Sequence, residues 1–289
     1  MEHFEGEREG AAVMRVAVST GTFYQVPFVR SLELIRQAGF EHIELLAHWE
    51  GGDGWAMAQH LKGLAPREVL RTVRGSGLQI SSLHDAGGVI EAGAESVVSA
   101  STYEYLEYGG GGIPCVVFHP PHRRTDDPRW WEEYRATAGG DLRRIARETT
   151  VCVENLFPFE GYHMPLLEPA DLLRFAQENE LFINADITHL AQAGADPVAA
   201  AKTLRERVYA VHLSDYAYAG PRSHVFVGEG DLPLGKFFAA LDSSVLQNIT
   251  LECNIAYDES DEAQTVERLR QARGYAEGLM ENLNLEAQQ

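Results

Sequence analysis

The chain of 289 residues carries 43 Asp and Glu against 24 Lys and Arg, for a formal charge of −19. That balance repels phosphate backbones and anionic membranes, so nucleic acid is not expected as a partner. Hydrophobic residues at 45% and charged residues at 23% are ordinary for a globular chain, and the absence of a run of roughly 18 apolar residues excludes a transmembrane helix.

The start, MEHFEGEREGAA, is polar and acidic and lacks an apolar signal region, so residues 1–13 are predicted to be a tail and 14–289 one domain. The first strand is predicted over MRVAVST and the first helix over PFVRSLELIRQAG. Phe28, Leu32, Leu34, Ile35 and Ala38 form the helix's apolar stripe, and Gly39 stops it. HIELLA is the second strand, followed by a loop with GGDG and a helix from Pro66 to Gly75. LQISSLHD is the third, followed by a helix over ESVVSASTYEYLEYG and a glycine run. CVVFHPP is the fourth, with a helix from Pro128 to Glu148 that Gly139 and Gly140 can interrupt. TVCVEN is the fifth, with a helix over EPADLLRFAQENE that has Pro169 in its first turn. LFINAD is the sixth, and Asp196 caps the helix DPVAAAKTLRERV. VYAVHLSD is the seventh, with a short helix over LPLGKFFAALDSS. ITLECN is the eighth, and the last helix covers DEAQTVERLRQARGYAEGLMENL.

Eight strand–helix units in strict alternation predict an α/β fold, a single-domain (β/α)8 TIM barrel. The alternative, an open doubly wound sheet, calls for a glycine-rich phosphate loop after the first strand, where STGTFYQVP has no GxGxxG. The three cysteines, Cys115, Cys152 and Cys253, lie within strand segments without a CxxC pair. They read as buried reduced thiols of a cytoplasmic protein.

Four of these strand segments end in a metal-binding residue type: Glu154, Asp186, His212 and Glu252. In a parallel barrel the C-terminal strand ends converge on one mouth. Period-two alternation puts Thr150, Cys152 and Glu154 on one side, and Thr250 with Glu252. Three carboxylates and one imidazole make an oxygen-rich set that suits one divalent metal ion, Mn2+ or Mg2+ first, with Co2+ and Zn2+ also accommodated. Taken singly, each of these residues reads as an ordinary strand-end side chain; four at successive strand ends do not.

His189 follows Asp186 in a D-x-x-H pattern, as a second ligand or a donor to substrate. His84 and His119 end the third and fourth strands and face the same mouth, although core histidines are the common alternative. His224 precedes Gly228-Glu229-Gly230, a tight turn that can present it to the mouth as a substrate-binding residue, whereas periodicity alone reads a plain surface turn. Arg222 beside it is a candidate anion contact. Arg123, Arg124 and Arg129 make a weak basic cluster after the fourth strand. Trp49, Trp55, Phe23 and Tyr24 are loop aromatics that either stack on a ligand or pack the loops, and Trp130 and Trp131 anchor the helix after the fourth strand. The only lysines, Lys62, Lys202 and Lys236, end no strand, which speaks against a Schiff-base mechanism.

With QAGFEHIEL, FHPP, VCVEN, NADITH, VHLSD, GEGDLP and LECN, the chain resembles the xylose-isomerase-like barrel superfamily from about Met14 to Leu283. That group holds sugar and sugar-phosphate isomerases and epimerases, inosose dehydratases and the family 2 apurinic endonucleases. The resemblance implies a small-molecule carbohydrate substrate and homodimers or homotetramers. It implies that Glu154, Asp186, His212 and Glu252 are metal ligands, and that Glu154 and Glu252 also exchange the substrate proton through an enediolate. It implies that His189 binds substrate, and it matches Glu44 to an acidic position of uncertain role. The three-zinc endonuclease pattern maps onto His84, His119, Glu154, Asp186, His189, His212, His224 and Glu252, but its remaining aspartate is Arg222 here, and an arginine would repel a third zinc. Isomerase or epimerase is the expected activity, with a dehydratase on the same metal site as the alternative and a nuclease behind both.

Overall fold

Eight parallel strands close on themselves in the order β1-β10-β7-β6-β5-β4-β3-β2. They are β1 (Arg15–Ser19), β2 (His42–Leu46), β3 (Gln79–Asp85), β4 (Cys115–Phe118), β5 (Thr150–Glu154), β6 (Phe182–Asp186), β7 (Val208–Leu213) and β10 (Asn248–Leu251). A separate antiparallel pair, β8 (Asp215–Ala217) and β9 (Arg222–Val225), follows β7. The computed structural model describes residues 14–47, 60–87, 98–137, 139–255 and 259–286. The tail at 1–13, Trp49, Trp55 and the GGDG loop lie outside the described residues.

The helices are α1 (Phe28–Gln37), α2 (Pro66–Ser76), α3 (Ala100–Gly109), α4 (Arg129–Thr137), α5 (Gly139–Ile145), α6 (Pro169–Glu178), α7 (Ile187–Gln192), α8 (Pro197–Leu204), α9 (Leu234–Ala239) and α10 (Glu262–Glu286). The predicted stripe of α1 is buried throughout, and Gly39 ends the helix at φ +87°, a conformation that glycine takes without strain. The third helix starts later than its sequence pattern suggests. Ser99 accepts from Thr102 N as N-cap while its own amide donates to the Asp85 carboxylate at 2.8 Å, which holds Ser99 itself outside the helix. The helix before β7 ends at Leu204, short of the predicted Val208.

The inner face of the barrel is layered. Cys115, Val117 and Cys152 pack together with Phe182 and Tyr209 in its lower part. Polar residues follow toward the strand ends, and Glu44, Glu154, Asn184, Asp186 and His212 all have no exposed surface. Outside, the helix stripes pack on the outward strand faces in one continuous apolar core. All three cysteines are buried and free, as the sequence predicts.

Two register shifts set which residues meet. Between β6 and β7 the pairing steps at Ile183/Asn184, so that Asp186 lies opposite His212. Between β2 and β3 it steps at Ile43/Glu44, so that Glu44 lies opposite Ser82. Ser81, the residue passed over, bonds back to the Ile43 carbonyl at 3.0 Å. Such bulges re-aim side chains at barrel rims.

Candidate metal centre and active site

Glu154 is the last residue of β5 and Asp186 the last of β6. Asn155 fixes the second against the first: its Nδ2 donates to Asp186 O at 2.9 Å, and Asp186 N donates to its Oδ1 at 2.8 Å. Asp186 is also the N-cap of α7, accepting from His189 N at 2.7 Å. The strand-to-helix turn thus places Asp186 and His189 together, as the D-x-x-H spacing suggests. His212 comes from β7, and Glu252 follows β10, held by Glu252 N donating to Leu213 O at 3.1 Å.

The four strand-end residues converge. His212 Nδ1 lies 2.8 Å from Glu252 Oε2, 3.2 Å from Glu154 Oε2 and 3.9 Å from Asp186 Oδ2. One ligand atom from each of Glu154, Asp186, His212 and Glu252 falls within 4.8 Å of the others. Glu154 Oε1, Asp186 Oδ2 and His212 Nδ1 are buried and make no hydrogen bond of normal geometry among the described residues. Buried carboxylate oxygens without a hydrogen bond, as at Glu154 and Asp186, are costly, and a set of three carboxylates around one imidazole fits a divalent cation.

The histidines surround this cluster. His84 reaches Glu154 Oε2 through Nε2 at 3.4 Å and Glu44 Oε1 through Nδ1 at 3.5 Å. His119 packs edge-on against His84 with ring centres 5.1 Å apart. His189 Nδ1 lies 3.0 Å from both Glu154 Oε1 and the Asn155 carbonyl. His224 packs edge-on to His189 at 5.1 Å. Of the two readings of His224, its place in the structure matches the one that brings it to the mouth. It stands on β9 at φ +52°, with Nδ1 between Ser214 Oγ at 3.2 Å and the Glu252 carbonyl at 3.1 Å. Three further ligand groups result: His84 with His119 and Glu154, Asp186 with His189 and His224, and Glu44 with His84, His212 and Glu252.

Electrostatics follow from these contacts. Burial alone would raise Glu154, but His212, His189 and His84 hold its carboxyl well below the usual carboxylate range. Glu252 is lowered in the same way by His212 and His84. Burial dominates at Asp186 and raises it. Burial disfavours a charged His189, but Asp186 and Glu154 outweigh it and push the ring up to about 9. Burial brings His119 down to about 3, so that ring is neutral.

A cavity of about 200 Å3 opens over the cluster, lined by Glu154, Glu252, His84, His119, His189 and His224. Thr22, Phe157, Gln192, Ser223 and Asn254 complete its wall. No sequence signal pointed to these residues, which stand on turns, on α7 and on β9 rather than at the ends of the barrel strands. Arg222 is not brought to the cavity; it sits exposed at the start of β9. Phe23 packs in the core, and Trp130 anchors α4 by donating Nε1–H to His163 at 3.0 Å. Glu44, whose role the sequence left open, is buried under the cluster.

A closed parallel barrel with an acid- and histidine-lined mouth at its strand ends defines a class of barrel enzyme folds. Within it, the family model for the xylose isomerase-like TIM barrel matches residues 32–277, and the chain belongs to that family. Among solved structures, an L-ribulose 3-epimerase is 17% identical with a TM-score of 0.67, covering 96% of this chain and 97% of its own. A 3-keto-D-glucoside 4-epimerase from E. coli is 19% identical with a TM-score of 0.62, covering 90% of this chain and 99% of its own. A probable 3-DHS dehydratase involved in petrobactin synthesis in Bacillus anthracis is 17% identical with a TM-score of 0.58, covering 90% of this chain and 98% of its own. These likenesses show the fold. No curated protein sequence matches the chain. No helix among the described residues is long and apolar enough to cross a membrane.

Proposed function

We propose that this protein is a divalent-metal-dependent isomerase or epimerase of an uncharged sugar, working by proton transfer between two glutamates. The observation that carries the reading is the placement of Glu154 and Glu252, both in reach of His212 Nδ1 and both lining one cavity. Glu154, Asp186, His212 and Glu252 would hold the ion, and their oxygen-rich set favours Mn2+. When bound, such an ion supplies Lewis-acid polarisation of the substrate carbonyl.

The residues then have separate tasks. One glutamate takes the proton from the carbon beside the carbonyl, and the other returns a proton to the opposite face or the neighbouring carbon. The first outcome is epimerisation and the second isomerisation. The surrounding histidines hold both carboxyls ionised, the state that the abstracting glutamate requires; the other takes up a proton from solvent before it returns one to the substrate. His189, charged at neutral pH, can donate to a substrate oxygen on which negative charge develops. The loops that follow the barrel strands contain only Lys62, Arg123, Arg124 and Arg222 as Lys or Arg, and none of these lines the cavity. Thr22 Oγ1 and Gln192 Oε1 lack hydrogen-bond partners among the described residues. Beside the glutamates and histidines the wall offers hydroxyl and amide groups but no Lys or Arg, which suits hydroxyls rather than a phosphate.

The test is solvent exchange on free ketoses in deuterated water with Mn2+ added. We expect deuterium at the carbon beside the carbonyl, with Glu154→Gln and Glu252→Gln each lowering the rate by ~10²–10⁴-fold. No exchange on any ketose or aldose, with metal bound, would overturn the reading. Loss of a hydroxyl, seen as enone or diketone absorbance, would replace it with the dehydratase.

A second reading has one observation in its favour. The grouping of His84 with His119 and Glu154, and of Asp186 with His189 and His224, provides room for further ions. The net charge of −19 and Arg222 oppose a three-zinc nuclease. Two or three zincs per chain by elemental analysis, with cleavage of abasic DNA, would put that reading first.

A further inference from the structure

Glu44 makes no part of the strand-end ligand set, yet it is as deeply buried as any residue in the barrel. It sits on β2, and His212 sits on β7; β1 and β10 lie between them in the sheet. Its carboxylate nevertheless meets the His212 ring inside the barrel. Glu44 Oε1 is 3.0 Å and Oε2 3.1 Å from His212 Nε2. Oε2 also accepts from Ser82 Oγ at 2.8 Å. The register shift between β2 and β3 is what brings Ser82, rather than Ser81, opposite Glu44.

This leaves His212 with two different nitrogens. Nε2 faces a carboxylate that can only accept, so it carries a proton. Nδ1 faces Glu154, Asp186 and Glu252. A neutral imidazole with its proton on Nε2 has its lone pair on Nδ1, aimed at the three acids. A carboxylate behind a ligand histidine fixes ring orientation and raises the basicity of the nitrogen that binds metal.

We infer that Glu44, held by Ser82, is a positioning residue that orients His212 and presents its Nδ1 lone pair to the cation site. The inference rests on the metal centre proposed above and adds to it a carboxylate that acts through His212 without touching the substrate.

The test is Mn2+ binding to the full chain, followed by calorimetry and by the electron paramagnetic resonance signal of free ion. Glu44→Gln keeps the shape and the acceptor oxygen but removes the charge. We expect ~10–100-fold weaker Mn2+ binding at unchanged stoichiometry, with the metal-free melting temperature close to that of the parent. In Zn2+-loaded protein labelled with 15N-histidine, the parent should show a proton on His212 Nε2 that exchanges slowly with water, and Glu44→Gln should exchange it faster. Ser82→Ala is a milder variant that serves if Glu44→Gln fails to fold; it should weaken binding by a smaller factor in the same direction. Unchanged affinity in a folded Glu44→Gln or Ser82→Ala protein would overturn the inference and leave Glu44 a purely structural group. Loss of one of two bound ions would also overturn it, because Glu44 would then be a ligand itself. If Glu154→Gln does not weaken binding either, the metal centre fails together with the inference; if it does while the Glu44 and Ser82 variants bind normally, only the positioning role fails.

Discussion

At Glu154, burial and charge act in opposite directions, and the histidines win. His212, His189 and His84 surround a carboxylate that burial alone would neutralise. Away from this cluster the opposite case occurs at His122. Its ring lies edge-on to Phe159 and Tyr162, each at 5.5 Å, and burial lowers its pKa below 6.5 despite the Pro120 carbonyl at 2.9 Å from Nδ1. A histidine with a depressed folded pKa binds more protons when unfolded. Its contribution to stability is therefore complete above the unfolded value and is lost as pH falls through the folded one. We expect His122→Asn, compared with the parent in thermal melts, to lose less melting temperature between about pH 7.5 and about pH 5. An equal loss in both proteins would show that His122 does not titrate against folding.

At the scale of elements, the segment after β7 shows how a loop is built around one side chain. Asp215 accepts from Tyr216 N at 2.8 Å, Gly228 N at 3.1 Å and Leu232 N at 3.0 Å. Gly230 passes so close that a Cβ would stand 2.6 Å from Asp215 Cγ and 2.7 Å from Tyr216 N. The same loop carries His224 to the mouth. Gly230→Ala should therefore destabilise the protein by ~1–3 kcal/mol in chemical denaturation and should also reduce turnover. A neutral effect on both would mean that the loop relaxes freely. The sequence reading found the glycines here but not the β8–β9 pair or the role of Asp215. The reason is physical: β8 has only three residues and β9, RSHV, is polar and not buried, so neither carries an apolar strand pattern, and an aspartate that binds backbone amides resembles any other loop aspartate. The six-residue α7 follows β6 directly, with no intervening loop to mark its start, and was missed, although the Asp186–His189 spacing that defines its cap was plain. The long, periodic α1 was legible almost to the residue.

For the whole molecule, closure of the barrel brings together residues as far apart as Glu44 and His212, 168 positions in sequence. A centre assembled from β5, β6, β7 and the end of β10 exists only in the folded chain, so an ion bound there stabilises the native state by mass action. At an ion concentration of 100 times Kd the gain is ~2.7 kcal/mol, on the order of 5 °C in melting temperature for a chain of this size. We expect Mn2+ to raise and EDTA to lower the melting temperature of the parent, with Asp186→Asn and Glu252→Gln showing a reduced response. A melting temperature indifferent to both additions would argue against the metal centre.

The alternation of eight strand and helix patterns was enough by itself to determine the barrel, because each pattern reports a local choice between periods of two and 3.6. It also determined the metal-binding residue types at the strand ends, because a strand's C-terminal residue must reach the mouth once the barrel closes. Only the tertiary structure decided which nitrogen of His212 faces Glu154, Asp186 and Glu252, how Glu44 lies behind the other, and which polar residues beside the strand ends wall the cavity. Those facts depend on register shifts and on contacts across the barrel, which no local pattern in the chain records.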